Sequence, residues 1–195
     1  MENAALVVVD MLYDFIDGTL ACEGAEEAVQ ETIKFIKSKP KDKKEDEDEI
    51  TGTFPILFVR DHHPANHSSF KEFGGIWPPH CVAGTRGAEI HEDLQPWVYE
   101  ELSFYKGEDK DLEQYSGFEG TNKVGQSLSE VLELLDAQDV YVCGIATEFC
   151  VKNTCLDLLN AGFNVHLLTS CVGWVDKEGH KKAIAEMEKL GVKIY

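Results

Sequence analysis

Short apolar runs alternate with amphipathic stretches along most of the chain. Runs rich in β-branched and aromatic residues predict six strands, at residues 6–9, 55–59, 102–105, 140–143, 163–168 and 192–195. Stretches with apolar residues at helical spacing predict helices at 25–37, 123–136, 148–160 and 178–190. Because strands and helices alternate, we expect an α/β protein with a Rossmann-like three-layer α/β/α architecture and a mostly parallel six-stranded sheet.

Chain length and one charged segment determine the predicted domain organisation. The chain has 195 residues, and a domain usually holds roughly 100–200 residues. We therefore predict a single domain over residues 1–195, with a charged insertion at about 39–53. Residues 41–49 of this insertion are all charged, which favours a solvated loop over a partner-binding acidic segment.

The charge balance and the N-terminal sequence argue against several classes of partner and location. Asp and Glu total 36 against 18 Lys and Arg, which gives a formal net charge of -18. Such a surface repels phosphate backbones and anionic lipids, so we expect neither nucleic-acid nor membrane binding. The N-terminus lacks the basic leader of a secretory signal, which predicts a cytoplasmic location and six reduced cysteines. The sequence leaves a homo-oligomer open.

Four polar residues stand at or just beyond the ends of predicted strands. Asp10 closes the first strand, Asp61 closes the second, and Lys106 follows the third. Cys150 comes a few residues after the fourth strand, at the start of a predicted helix. Because ligands of open α/β sheets bind beyond the carboxyl ends of the strands, we expect these four residues to share one sheet edge.

Cys150 has the sequence context of an activated nucleophile. Free N–H groups at a helix N-terminus would lower the pKa of its thiol and could hold an oxyanion. Lys106 would favour the thiolate further, and Asp10 could take its proton. The alternative for any single cysteine is a small buried apolar residue, which we retain for Cys143 and Cys155.

A second group of polar residues has the composition of a metal site. Asp61 and His63 are two residues apart, so their side chains point the same way in an extended segment, and His80 follows two stiffening prolines. One carboxylate and two imidazoles suit a zinc, iron or manganese ion with open positions for water. The alternative is that these histidines are structural. His62 and His67 are predicted to support the ligands or tether the loop.

With these residues in place, the chain resembles the nicotinamidase group of the isochorismatase-like cysteine hydrolases. The resemblance runs from end to end outside the charged insertion. The shared motifs are Val-Val-Asp10-Met-Leu-Tyr-Asp-Phe15, Asp61-His-His63-Pro-Ala-Asn-His67-Ser-Ser-Phe, Trp77-Pro-Pro-His80-Cys-Val, Phe-Tyr-Lys106-Gly, Tyr-Ser-Gly-Phe118 and Cys143-Gly-Ile-Ala-Thr-Glu-Phe-Cys150-Val. The second and third motifs distinguish this group from its metal-free relatives, and isochorismatases proper lack a cysteine equivalent to Cys150.

The resemblance implies a role for each matching residue. The implied catalytic triad is Asp10, Lys106 and Cys150. The implied metal ligands are Asp61, His63 and His80, with Ser69 near a variable fourth position. The backbone N–H groups of the implied oxyanion hole belong to Ala146 and Cys150, beside a cis peptide bond either before or after Ala146. The implied aromatic walls of the substrate pocket are Phe15, Trp77 and Tyr115, each of which could instead belong to the core.

The resemblance also implies an activity. It predicts hydrolysis of nicotinamide to nicotinate and ammonia through a cysteine thioester, in NAD salvage, with activity on pyrazinamide as well. The implied cofactor is a divalent metal ion, with Zn²⁺ favoured over Fe²⁺ or Mn²⁺. One alternative is another amidohydrolase of the family, acting on a small amide or carbamoyl substrate, which would normally lack the metal ligands. A non-catalytic binding protein is a third interpretation, and it predicts the loss of a triad residue.

Overall fold

The computed structural model describes residues 3–39 and 54–195 and contains one parallel sheet. Its strands are β1 (Ala4–Val9), β2 (Ile56–Asp61), β3 (Ser103–Lys106), β4 (Asp139–Gly144), β5 (Asn164–Val172) and β6 (Lys193–Ile194). They lie in the order β3-β2-β1-β4-β5-β6, and every neighbouring pair is parallel. The predicted α/β class with a six-stranded parallel sheet is confirmed.

Helices cover both faces of the sheet. They are α1 (Tyr13–Ile16), α2 (Ala25–Lys37), α3 (Leu128–Leu134), α4 (Lys152–Asn160) and α5 (Lys177–Leu190). Apolar residues of α1 and α2 pack in one core, and those of α3, α4 and α5 pack in a second core on the opposite face. Every residue of β1 is buried, because this central strand contributes side chains to both cores. The predicted three layers are therefore present.

The helix predicted over 123–136 is shorter than expected. It begins only at Leu128, where Ser127 and Glu130 form a capping box, with each side chain bonded to the backbone N–H of the other residue. The preceding residues form a turn in which the Asn122 side chain accepts hydrogen bonds from two backbone N–H groups. As a result Val124, which the predicted helix would have buried, is 73% exposed.

The helix predicted over 148–160 also begins differently. Residues Thr147–Val151 form a π-helical turn, and α-helical geometry starts only at Lys152. Cys150 therefore lies inside a π-helical turn rather than in the first turn of an α-helix. Wider turns of this kind are rare and are frequently found at functional sites.

Several predictions lie outside the described residues or are untested by the fold. The charge run at 41–49 and most of the insertion at 39–53 fall in the part of the chain that is not described. The single domain over 1–195, the cytoplasmic location, the oligomeric state and the lack of nucleic-acid or membrane partners stay predictions. Within residues 3–39 and 54–195, no helix combines the length and apolarity required to cross a lipid bilayer.

Candidate active site

The carboxyl ends of four neighbouring strands meet at one edge of the sheet. Asp61 is the last residue of β2 and Lys106 the last of β3, and the register pairs them directly. Asp10 follows β1 and accepts a hydrogen bond from the Asp61 backbone N–H at 2.8 Å. Cys150 reaches the same edge through the turn that follows β4. The four residues predicted to converge do lie together.

Lys106 occupies the centre of this buried cluster. Its Nζ lies 2.9 Å from Oδ2 of Asp10, pairs with Oδ1 of Asp61, and lies 3.5 Å from Sγ of Cys150. A carboxylate oxygen of Asp10 also lies within 4.8 Å of Sγ of Cys150. One cation therefore bridges two carboxylates and a thiol that are all shielded from water.

Burial affects the pKa values of Asp10, Lys106 and Cys150, and it sets the direction of the shift for Asp10 and Cys150. Burial raises the pKa of Asp10 to about 6, although the nearby Lys106 cation opposes the shift. Burial would lower the pKa of Lys106, but attraction to Asp10 and Asp61 outweighs it and raises this pKa well above its usual value. Burial also raises the pKa of the Cys150 thiol. The prediction that the position of Cys150 lowers its pKa is wrong, because desolvation outweighs the attraction of Lys106.

Three residues beside the triad form a potential metal site. Oδ2 of Asp61 lies 3.4 Å from Nε2 of His63 and 3.9 Å from Nε2 of His80. The ligand atoms of all three buried residues lie within 4.8 Å of one another. Nδ1 of His63 lies 2.9 Å from the carbonyl oxygen of Gly107, and Nδ1 of His80 lies 2.8 Å from that of Pro78.

This donor set fits a divalent metal ion. Because each Nδ1–H donates to a backbone carbonyl, each Nε2 is left with a lone pair directed towards Asp61. Burial lowers the pKa of His80, which favours the neutral form that binds metal. Burial also opposes protonation of His63, but attraction to Asp61 outweighs it and raises this pKa in the absence of an ion.

His62 and His67, which flank His63 in the sequence, make structural contacts. Nδ1 of His67 lies 2.7 Å from Oγ of Ser69, and its Nε2 lies 3.1 Å from the carbonyl oxygen of Leu112. His62 pairs with Glu108 at 2.9 Å. These contacts are those of loop-tethering residues, as predicted for both histidines. Ser69 lines the cleft beside the three potential ligands.

An aromatic cleft of about 450 Å³, open to solvent, leads to Cys150 and to the potential metal site. Phe15, Trp77 and Tyr115 line it, and the Trp77 indole N–H donates to the Tyr115 hydroxyl at 3.2 Å. The peptide bond between Ile145 and Ala146 is cis, the first of the two implied positions. Ala146 and Cys150, the two implied oxyanion-hole residues, both line the cleft.

Sequence reasoning missed several residues that line this cleft. Phe149 contacts Trp77 edge-on, with ring centroids 5.2 Å apart, and Tyr115 at 5.6 Å. The position of Phe149 directly before Cys150 was the signal in the sequence that could have identified it as a cleft residue. The other missed residues come from separate loops and carry no signal in the sequence: Leu20, Cys22, Glu113, Gln114 and Val175.

Comparison with known proteins identifies the family. The isochorismatase domain matches residues 4–195, and the chain belongs to this family. A nicotinamidase/pyrazinamidase of Mycobacterium tuberculosis is 30% identical over 97% of this chain and 97% of its own length. A nicotinamidase of Escherichia coli is 29% identical over 100% of this chain and 95% of its own length.

Solved structures with the same architecture carry informative ligands. A pyrazinamidase of Pyrococcus horikoshii in complex with zinc is 37% identical, with a TM-score of 0.83 over 99% of this chain and 98% of that one. The PnC1 protein of L. infantum in complex with nicotinate is 31% identical, with a TM-score of 0.80 over 100% of this chain and 92% of that one.

Proposed function

We propose that this protein is a nicotinamidase, which hydrolyses nicotinamide to nicotinate and ammonia and also accepts pyrazinamide. The observation that carries the proposal is the junction of two sets of side chains at one end of an aromatic cleft. Asp10, Lys106 and Cys150 form the first set. Asp61, His63 and His80 form the second set. Asp61 joins the two sets because it also pairs with Lys106. The names of the relatives support the same activity.

The first half of the reaction forms a thioester. Asp10 removes the proton from the Cys150 thiol as the sulfur attacks the carboxamide carbon. The N–H groups of Ala146 and Cys150 stabilise the oxyanion of the tetrahedral intermediate. Asp10 returns its proton to the nitrogen as the carbon–nitrogen bond breaks, and ammonia leaves.

The second half releases the acid product. Asp10 takes a proton from a water molecule, whose oxygen attacks the thioester carbon. The carbon–sulfur bond breaks as Asp10 gives this proton to the sulfur, and the acid leaves as nicotinate after it loses its own proton to solvent. Lys106 keeps the carboxylate of Asp10 and the sulfur of Cys150 in contact through both halves, because it lies 2.9 Å from the former and 3.5 Å from the latter.

The residues that would hold a divalent ion are Asp61, His63 and His80. Zinc is the favoured ion because two imidazoles and a carboxylate suit it, with Fe²⁺ or Mn²⁺ as alternatives. When bound, the ion supplies a Lewis-acid contact for the pyridine nitrogen, directly or through water. Phe15, Trp77 and Tyr115 would sandwich the pyridine ring and orient its amide over Cys150.

We also propose a metabolic role and a location. Nicotinate released from nicotinamide would feed NAD salvage, and the chain would act in the cytoplasm on this small-molecule substrate. The residues named above all belong to one chain, and a homo-oligomer stays open. The charged insertion at 39–53 has no assigned part in the reaction.

Ammonia release from nicotinamide by the purified chain tests the proposal. The assay is run before chelation, after chelation, and after addition of zinc, iron or manganese. We expect activity that disappears with the metal and returns with it. If activity does not depend on metal, the assignment as a cysteine hydrolase would stand and the proposed metal site would be overturned. No ammonia from the zinc-loaded chain would overturn the proposed substrate.

A further inference from the structure

We propose that Asp14 is a positioning residue that sets the spacing between His63 and His80. The inference rests on the proposed function, since these histidines are the proposed metal ligands. Asp14 lies in α1 and lines neither the cleft nor the potential metal site. Its effect would be exerted through the backbone of Cys81.

The carboxylate of Asp14 accepts hydrogen bonds from two backbone segments. Its Oδ2 accepts from the N–H of Cys81 at 2.7 Å, and its Oδ1 accepts from the N–H of Thr19 at 3.2 Å. Cys81 is 67 residues further along the chain, so the first bond joins the loop that carries His80 to α1. Because both oxygens accept, an amide in place of the carboxylate could satisfy only one of the two donors.

Cys81 is bonded to both histidines of the potential metal site. It follows His80 directly in the chain, and its carbonyl oxygen accepts the backbone N–H of His63 at 3.0 Å. The N–H of Ala83 then donates to the carbonyl oxygen of His63 at 2.8 Å, which extends the pairing by one residue. Any displacement of Cys81 therefore moves one histidine relative to the other.

Cys81 also needs an external anchor for its own backbone conformation. Its φ of 48° lies in the left-handed region, which is unfavourable for a residue with a side chain. The bond from Asp14 holds its N–H in this conformation. A second bond from the same segment supports it, since the Thr19 hydroxyl donates to the carbonyl oxygen of Pro79 at 2.8 Å.

Two glycines lie directly against the carboxylate of Asp14. A Cβ atom on Gly18 would lie 2.4 Å from Oδ1, and one on Gly87 would lie 2.0 Å from Oδ2. Both glycines leave space that the carboxylate fills. A side chain at either glycine would displace the carboxylate from its bonds to Cys81 and Thr19, so both glycines are part of the arrangement that positions Asp14.

Zinc affinity tests the inference, because a merely structural residue would change thermal stability without changing the affinity of the folded chain. The probe is zinc alone, titrated in competition with a chromogenic chelator, and His80→Ala identifies binding at the proposed site. We compare Asp14→Asn and Thr19→Val with Asp17→Asn, a matched control whose exposed carboxylate pairs with Arg86 instead. Circular dichroism of each metal-free variant establishes that it is folded.

We expect Asp14→Asn to weaken zinc binding about 10-fold or more, in the range seen when groups that orient metal ligands are removed. Thr19→Val should shift the affinity in the same direction, and it decides the test if Asp14→Asn fails to fold. Unchanged affinity in the folded variants, with zinc still bound by the unsubstituted chain, would overturn the inference alone. Absence of His80-dependent zinc binding in the unsubstituted chain would overturn the proposed metal site and the inference with it.

Discussion

Replacement of Lys106 by methionine removes a cation that contacts both buried carboxylates. Methionine keeps most of the side-chain volume, so the change isolates the charge. Asp10 and Asp61 would then face each other across the cluster without Lys106, although Asp61 keeps its contact with His63 at 3.4 Å. We expect a stability loss as well as a loss of hydrolysis.

The magnitude follows from the burial of all three groups. Removing one partner of a buried ion pair costs about 3–5 kcal/mol, because the remaining charge is left desolvated. A chain of this size loses roughly 2–4 °C of melting temperature per kcal/mol. The metal-free Lys106→Met variant should therefore melt roughly 6–20 °C below the unsubstituted chain. Zinc should reduce the deficit, since an ion held by Asp61 restores positive charge to the cluster.

Thermal and denaturant unfolding of the chelated proteins measure this loss. Lys152→Met is the matched control, because Lys152 pairs with Glu186 at 3.1 Å on the surface. An exposed pair of this kind contributes about 0–1 kcal/mol. If Lys106→Met were as stable as Lys152→Met, the buried cation would not stabilise the two carboxylates and the electrostatic reasoning would be refuted.

Three further substitutions test separate parts of the site. Cys150→Ala should abolish ammonia release while leaving metal content near normal, and substantial residual hydrolysis would contradict its assignment as nucleophile. Gly107→Ala should weaken zinc binding, because a Cβ at this position would lie 2.3 Å from the His63 ring. It should also lower the free energy of unfolding by about 1–3 kcal/mol, because Gly107 has a φ of 71°. Unchanged zinc affinity would contradict this reasoning. Phe149→Ala should raise KM for nicotinamide roughly 3–10-fold through the loss of aromatic contacts, and a change confined to kcat in steady-state assays would count against a role in binding.

The polar residues at strand ends were predictable because apolar runs in the sequence mark where those strands end. Uninterrupted apolar runs locate β1 and β2; the run in β1 ends at Asp10, and the run in β2 is followed by Arg60 and then Asp61. In a parallel sheet those ends share an edge, so Lys106 follows by the same reasoning. The strand order could not be read in this way, because it depends on how the connections cross the sheet.

Other features depend on packing that a sequence does not reveal. The direction of the Cys150 pKa shift follows from burial, which no local pattern around the residue discloses. Phe149 joins the cleft because a π-helical turn rotates it towards Trp77 and Tyr115. The short α3 results from the capping box at Ser127, a motif present in the sequence but overlooked beside the apolar periodicity.

The connection between β2 and β3 separates two of the proposed metal ligands from the residues that the strand ends hold in place. Residues 62–102 lie outside the sheet and contain His63 and His80, whereas Asp10 and Lys106 are fixed by the strands themselves. Replacing this connection would change neither Cys150 nor Asp10, the proposed nucleophile and its proposed proton acceptor. Under the proposed function, changes confined to residues 62–102 would therefore add or remove two of the three proposed metal ligands without altering the residues at the strand ends.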